Sequence, residues 1–344
     1  MMNPGYRKER IDRGIKVRSD DVFVLASMRD LLYVVLPRAL VIILLLIFPA
    51  FQDILGSYWQ NVMLSTMVIA LLALSWDLLA GIGLVSLGQS LFFGMGGYLA
   101  GYLSFTFGWG PLYTLPVATV GGALLSTLTL YPILRLRGIY FGMITFAVPL
   151  LLSRVIEVTK ILGGTEGMSS LPSFPNTGFE LYLVMAVLFV TVYAYRMLVG
   201  TDYGLVFNAI RDNDRAVVAA GYDIQWYKAQ GVFIAALPAC FAGAFMTHHF
   251  QFVGMPAFAL DYSILPLTSV VIGGVGTFFG AVLGSFVLVP LSELLREFGS
   301  LRVVVYSLML LVFTIGLPEG IFRFVLRKYH QFERLVPMEE ASNE

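Results

Sequence analysis

Gly81-Ile-Gly-Leu-Val-Ser-Leu-Gly-Gln89 decides how this chain folds. Apolar sequence runs up to it from Val62 to Ala80 and leaves it from Ser90 to Phe107, while the stretch itself has glycines at 81, 83 and 88 and no charge. A spanning helix needs roughly 20 mostly apolar residues, so both flanks belong in a bilayer. A connection without charge has nothing to anchor it among headgroups. It reads as a break or re-entrant turn inside the membrane, tolerable only where protein or a water-filled cavity satisfies its backbone groups.

The rest of the chain agrees. It has 344 residues, 58% hydrophobic and 13% charged, with a mean hydropathy of +0.81, whereas a soluble domain carries about 25% charge. The expected fold is all-α and polytopic, with about eight to ten helices, some broken or re-entrant. A net charge of +0 argues against a nucleic-acid surface. The single cysteine, Cys240, offers no disulfide, and His248, His249 and His330 lack the spacing of a metal site. His248 and His249 read as interfacial polar residues without an acidic ligand nearby. Residues 1–31 interleave Arg7, Lys8, Arg10, Arg13, Lys16, Arg18 and Arg29 with acidic residues. They read as a cytoplasmic segment, in part an amphipathic surface helix, and not as a cleavable leader.

A permease domain is expected over residues 32–328, with a flexible tail over 329–344. Its first span runs from Leu31 to Pro49. Later, Arg135 and Arg137 mark a cytoplasmic turn, the loop from Thr159 to Glu180 lies outside, and Arg196 closes the next inward span. Counting crossings then meets a parity problem. If Ile264 to Pro290 crossed once, Arg323, Arg327 and Lys328 would end outside, against the positive-inside rule. Reading this segment as a pair of helices broken at Gly273-Gly-Val-Gly276 restores a cytoplasmic tail. One glycine-rich break in each half hints at an internal repeat.

Between two apolar stretches lies the polar segment from Tyr203 to Asp223. Asn208 and Asp212 lie four apart on one helix face, as do Arg211 and Arg215. With Gly204, Ala209 and the small surface of Ala216, Val217, Ala219 and Ala220, this reads as a short surface helix that a partner grips, capped by Gly221 in a left-handed conformation. No Walker A, G-x-S-x-G or HExxH motif occurs, so no catalytic site, cofactor or metal is expected. Gly94-Met-Gly-Gly97 lies within a spanning helix and reads as close helix packing.

Substrate contact is best sought at the first break. Exposed N–H groups there, with Ser86, Gly88, Gln89 and Ser90, suit a small polar solute. Phe92 and Phe93 either line the cavity or face lipid. Asp77, costly at membrane depth, is expected to be paired, near water or protonated. Arg154 and Glu157 are spaced for an ion pair within one helix, although Arg154 is also a candidate partner for a solute carboxylate. Thr165 and Glu166, in Gly163-Gly-Thr-Glu-Gly167, belong to a candidate outer gate or a plain surface turn.

Several stretches, in this order, resemble one known family. Trp76-Asp-Leu-Leu-Ala-Gly-Ile-Gly-Leu-Val-Ser-Leu-Gly-Gln-Ser-Leu-Phe-Phe-Gly-Met-Gly-Gly-Tyr98, Arg135-Leu-Arg-Gly-Ile-Tyr-Phe141, Gly163 to Gly167, Asn208-Ala-Ile-Arg-Asp212 and Gly273 to Gly276 are similar to the LivM-type permease of bacterial branched-chain amino acid ABC importers. The resemblance implies a heterodimer with a related permease in the inner membrane, both termini cytoplasmic. It also implies two ATPase subunits that bind ATP and Mg2+, and a periplasmic solute-binding protein. The family's coupling region maps onto Gly204 to Gly221 and its translocation region includes Ser86 to Phe93. Gln89 stands where many members have His, and Glu166 where many have Asn. Relatives of this type are expected to carry urea, short amides or aromatic and other organic acids as well as hydrophobic amino acids. A transporter or channel working without ATPases is the other reading.

Overall fold

The computed structural model describes residues 6–10, 52–295, 299, 301–316, 319–324 and 333–337. The span expected over Leu31–Pro49 lies outside them, as do the tail beyond Pro337 and all of the N-terminal segment except 6–10. Residues 55–322 form one compact unit, and residues 1–54 with 323–344 a second. In the second unit, strand β1 (Tyr6–Arg10) pairs antiparallel with a strand over Glu333–Pro337, with Arg10 opposite Glu333 and Lys8 opposite Leu335.

The larger unit is helical: α1 (Gln52–Gly81), α2 (Gln89–Phe107), α3 (Pro111–Leu130), α4 (Ile139–Thr159), α5 (Thr177–Val199), α6 (Asp202–Ala219), α7 (Ile224–Phe250), α8 (Asp261–Gly273), α9 (Phe278–Leu294) and α10 (Leu301–Gly316). Among the described residues, six helices are long and apolar enough to cross a membrane. Local chemistry sets their ends. The Asn176 side chain accepts from Gly178 N–H at 3.0 Å to start α5, and Asp223 accepts from Gln225 and Trp226 N–H at 2.9 and 3.3 Å to start α7. Past α6, Gly221 sits at φ +87°, with Gly221 N–H bonded to Val218 C=O and Tyr222 N–H to Val217 C=O. That pair of bonds is a Schellman end, as expected for this glycine.

Burial ranks the helices. The α1 span is 89% buried and the α7 span 78%, against 28% for α4 and α5. The inner helices are therefore covered by protein, whereas Leu128, Ile139, Val158 and Val190 stand open, apolar surface that fits lipid or a partner subunit. Against α7, α2 packs backbone to backbone. A Cβ at Gly96 would overlap the Cys240 carbonyl, and one at Gly243 would overlap that of Phe93. These contacts use the small residues expected for packing in Gly94 to Gly97.

At about 1.5 Å per residue α7 is roughly 40 Å long, and it connects two chemically different ends. At its start Arg135 donates to Gln225 at 3.3 Å, and Arg137 pairs with Asp214 at 2.8 Å. Arg196 faces the Phe279 ring at the same end, 6.0 Å from its centroid. Beyond its other end, strand β2 (Met168–Ser169) pairs with β3 (Phe252–Val253). Basic groups thus gather where α6 lies, opposite the 159–180 loop. Helices α8 and α9 double back on each other, with Gly273 against Gly280 and Gly284 against Ser269. This is the broken pair that charge parity requires.

Candidate functional site

Residues 82–88 make the first break, and it has two parts. The first part reaches the basic end. A Cβ at Gly83 would lie 3.1 Å from Arg211 Cα on α6, and Ile82 packs against Gly231 near the start of α7. Gly83 itself has φ +84°. The turn therefore packs against α6 before it returns to α2.

Its second part is closed by hydroxyls. Ser86 Oγ accepts from Gly88 N–H at 3.2 Å, Thr145 on α4 accepts from Leu87 N–H at 3.1 Å, and Ser263 on α8 accepts from Ser90 N–H at 3.0 Å. Trp76 Nε1 donates to the Ser86 carbonyl at 2.7 Å, while Ser75 Oγ donates to Gln89 Oε1 at 3.1 Å. These bonds satisfy backbone groups that the membrane interior would leave without partners. Ser86, Gly88, Gln89, Ser90, Phe92 and Phe93 are all buried. Phe92 and Phe93 are covered by protein, with Phe93 stacked on Tyr262 at 3.9 Å between centroids.

Asp77 links the two breaks. It is buried, and its Oδ1 accepts from Gly276 N–H at 2.6 Å, so a carboxylate on α1 holds the turn between α8 and α9. Leaving the donor of this part-buried bond, the Gly276 N–H, without its acceptor costs about 1–3 kcal/mol. Asp77→Ala is expected to lower stability by that amount, whereas Asp77→Asn, which keeps an acceptor, should lose less than half of it. Thermal unfolding of the purified proteins in detergent measures both, and equal losses would remove the bond to Gly276 from the account.

Helix α6 rests on the protein through Gly204, Phe207, Ile210 and Val217, all buried. Its outer face exposes Ala209, Arg211, Asp212, Arg215, Ala216, Ala219 and Ala220, with Gly221 following; Asn208 is half-buried. One expectation needs correcting. Asn213, at φ −157° and ψ 92°, interrupts the helix, so Arg211 and Arg215 do not share one continuous face. Its side chain accepts from Ala216 N–H at 3.3 Å and so caps the second piece. Arg211 pairs instead with neighbouring Asp212 at 3.1 Å.

Residues 58–314 match the family described as branched-chain amino acid transport system / permease component. The chain belongs to this permease family. It is 25% identical to the high-affinity branched-chain amino acid transport system permease protein LivM of Escherichia coli, over 93% of this chain and 81% of that protein. The LivM of Salmonella typhimurium is 27% identical over 74% of this chain and 68% of its own length. A probable LivM of Methanocaldococcus jannaschii is 23% identical over 49% and 51%. Its relatives are transport permease subunits, and this permease is a multi-pass membrane protein.

The other candidate residues of the permease lie elsewhere. Arg154 pairs with Glu157 at 2.5 Å on an exposed face of α4, the intrahelical pair that the spacing suggests. Thr165 and Glu166 are exposed in the turn opposite the basic end. A shallow apolar recess beside Trp109, Tyr113, Pro116 and Val117 lies past the far end of α2 from Gln89.

Both histidines at the end of α7 have partners distant in sequence. His248, in the last turn of α7, is fully buried: Nε2 lies 2.6 Å from Thr114 Oγ1 on α3, and Nδ1 lies 2.8 Å from the Pro172 carbonyl. His249 Nδ1 lies 2.8 Å from Glu180 on α5, an acidic partner 69 residues away in sequence. Among the described residues, no group of three or more His, Cys, Asp or Glu could hold a metal. His248→Ala leaves the Pro172 carbonyl without its ring donor, at a cost of about 1–3 kcal/mol, while Thr114 Oγ1 keeps the Gly110 and Pro111 carbonyls as acceptors. A lower unfolding temperature is expected, together with faster proteolysis of the 159–180 loop; unchanged values for both would sink this role.

Proposed function

We propose that this permease forms half of the pathway of an ATP-driven importer that carries branched-chain or other hydrophobic amino acids by alternating access. The carrying observation is the contact between Arg211 of α6 and Gly83 of the first break. A push on α6 would reach the candidate solute site with no intervening element. The face offered to the pusher is low in relief, built on Ala209, Ala216, Ala219 and Ala220. A second, related permease would complete the pathway, and apolar surface on α3 and α4 remains for it or for lipid. Two ATPase subunits would bind ATP and Mg2+ and dock at α6, while a solute-binding protein would dock near the 159–180 loop. Clustering of Arg135, Arg137 and Arg196 at the α6 end supports a cytoplasmic assignment for that face of a bacterial inner membrane. The pairing of residues 6–10 with 333–337 supports both termini lying on one side.

The test is uptake into liposomes carrying this permease with its co-purified permease, ATPases and binding protein, offered leucine, urea and an aromatic acid. Leucine uptake that requires both ATP and the binding protein is expected. Preference for urea or the aromatic acid would overturn the solute, and uptake by this chain alone would overturn the importer reading. In the same assay Gln89→His is expected to change the solute profile; an unaltered profile would exclude Gln89 from selectivity.

A further inference from the structure

The N-terminus of α2 carries donors that the protein only partly satisfies. Its N-cap, Gly88, supplies no side chain, and the helix behind it is 19 residues long, so a positive dipole end lies there, with Leu91 N–H bonded to the Gly88 carbonyl at 3.0 Å. Ser263 meets one of these donors: its Oγ accepts from Ser90 N–H at 3.0 Å and donates to Ser90 Oγ at 3.1 Å. Beside it, Gln89 begins the helix. Its Oε1 is held by Ser75, but its Nε2, with the whole side chain at 0% exposure, has no hydrogen-bond partner among the described residues. A buried donor left in this way is costly and calls for an acceptor.

We propose that the N-terminus of α2 holds the solute's carboxylate during passage, and that Ser263 fills that place between passages. This rests on the importer reading and narrows its solute to a small carboxylate. A carboxylate only accepts and has two oxygens, so it can serve Ser90 N–H with one and Gln89 Nε2 with the other. One serine hydroxyl already bonded to Ser90 serves only the first. No lysine or arginine lies within residues 76–93, so this stretch offers the carboxylate a helix end and an amide donor rather than a fixed positive charge.

Ser263 is a positioning residue, and in this proposal the start of α8 carries it away. It lies in the first turn of α8, next to Tyr262, whose ring covers Phe93. Beyond the other end of α8, Gly276 is tied to Asp77 on α1. Withdrawal of the start of α8 removes both the hydroxyl and the ring from the α2 N-terminus together.

The experiment pairs Ser90→Cys with Ser263→Cys. The native Cys240 is fully buried in α7 and does not compete for oxidant. In the detergent-solubilised transporter, disulfide formation is followed with free leucine, isovalerate or leucinamide at matched concentrations, so that the binding protein's own selectivity plays no part. Leucine and isovalerate, which carry the carboxylate, are expected to slow crosslinking several-fold, and leucinamide to leave it unchanged. No slowing by leucine, or equal slowing by leucinamide, would overturn the proposal. If the pair does not reach the membrane, Ser263→Cys alone is labelled with a thiol reagent; leucine should raise labelling several-fold, and equal labelling with and without it overturns the proposal.

Leucine uptake by the unsubstituted transporter separates the two readings. Uptake dependent on ATP and the binding protein, with crosslinking indifferent to leucine, refutes the carboxylate site alone. Crosslinking that responds to leucine, with uptake independent of ATP, refutes the importer alone.

Discussion

Gly83→Val is expected to cut solute-stimulated ATP hydrolysis by the assembled transporter about tenfold or more, with the permease still present in the membrane. Gly83 has φ +84°, where a residue with a Cβ costs roughly 1–2 kcal/mol and a β-branched one fits worst. Its Cβ would also stand 3.1 Å from the Arg211 Cα, which is backbone and cannot turn aside as a side chain can. Both effects drive α6 and the first break apart. Strain of this size suffices where it must be carried into the coupled state, since about 1.4 kcal/mol is a factor of ten. Gly81→Ala is the control, because a Cβ there meets nothing within 4 Å, and near-normal stimulation is expected. Gly221→Val should fall between the two: it has a similar φ of +87° and loses a helix end, but its Cβ also meets open space. Full stimulation with Gly83→Val would disconnect α6 from the break.

Gly83 also shows where sequence reading stops. Its glycine-rich, charge-free surroundings announce a break, because a bilayer tolerates few other meanings for that composition. Parity of charge likewise announces the broken pair at Gly273 to Gly276, and spacing alone pairs Arg154 with Glu157. Such features are local or obey a membrane-wide rule. What meets Gly83 is different, since Arg211 is 128 residues away and nothing in either neighbourhood names the other. The hydroxyls of Thr145 and Ser263 are equally silent: a serine or threonine in an apolar run bonds its own helix as readily as a distant one, as Thr268 does with Ile264. Asn213 misled in the opposite way. Four-residue spacing on both sides favours a continuous helix, but an asparagine side chain competes for backbone N–H groups, and here its bond to Ala216 accompanies the interruption.

Gly243→Val is expected to prevent the permease from accumulating as a folded protein. The reason lies in how α2 and α7 are held. Lipid is as apolar as a leucine side chain, so helices in a membrane gain little from hiding apolar surface and depend on close packing. Here the packing is backbone against backbone. A Cβ at Gly243 would overlap the Phe93 carbonyl and stand 3.0 Å from Gly97 N, while Gly96 is placed the same way against Cys240. Overfilling a core typically costs about 1–3 kcal/mol when side chains can shift; with rigid helix backbone on both sides, the helices must separate. Separation would reach further than the contact itself. The break at Gln89 begins α2, and Ser75, Thr145 and Ser263 close that break only while α2 stays in place. Size-exclusion profiles of detergent extracts, compared with Gly110→Ala, whose Cβ meets nothing within 4 Å, measure the outcome. The control is expected to give a normal peak and Gly243→Val less than about a tenth of it. A normal peak for Gly243→Val would mean that α2 and α7 can stand further apart than their glycines imply, and that the first break is held by its hydrogen bonds alone.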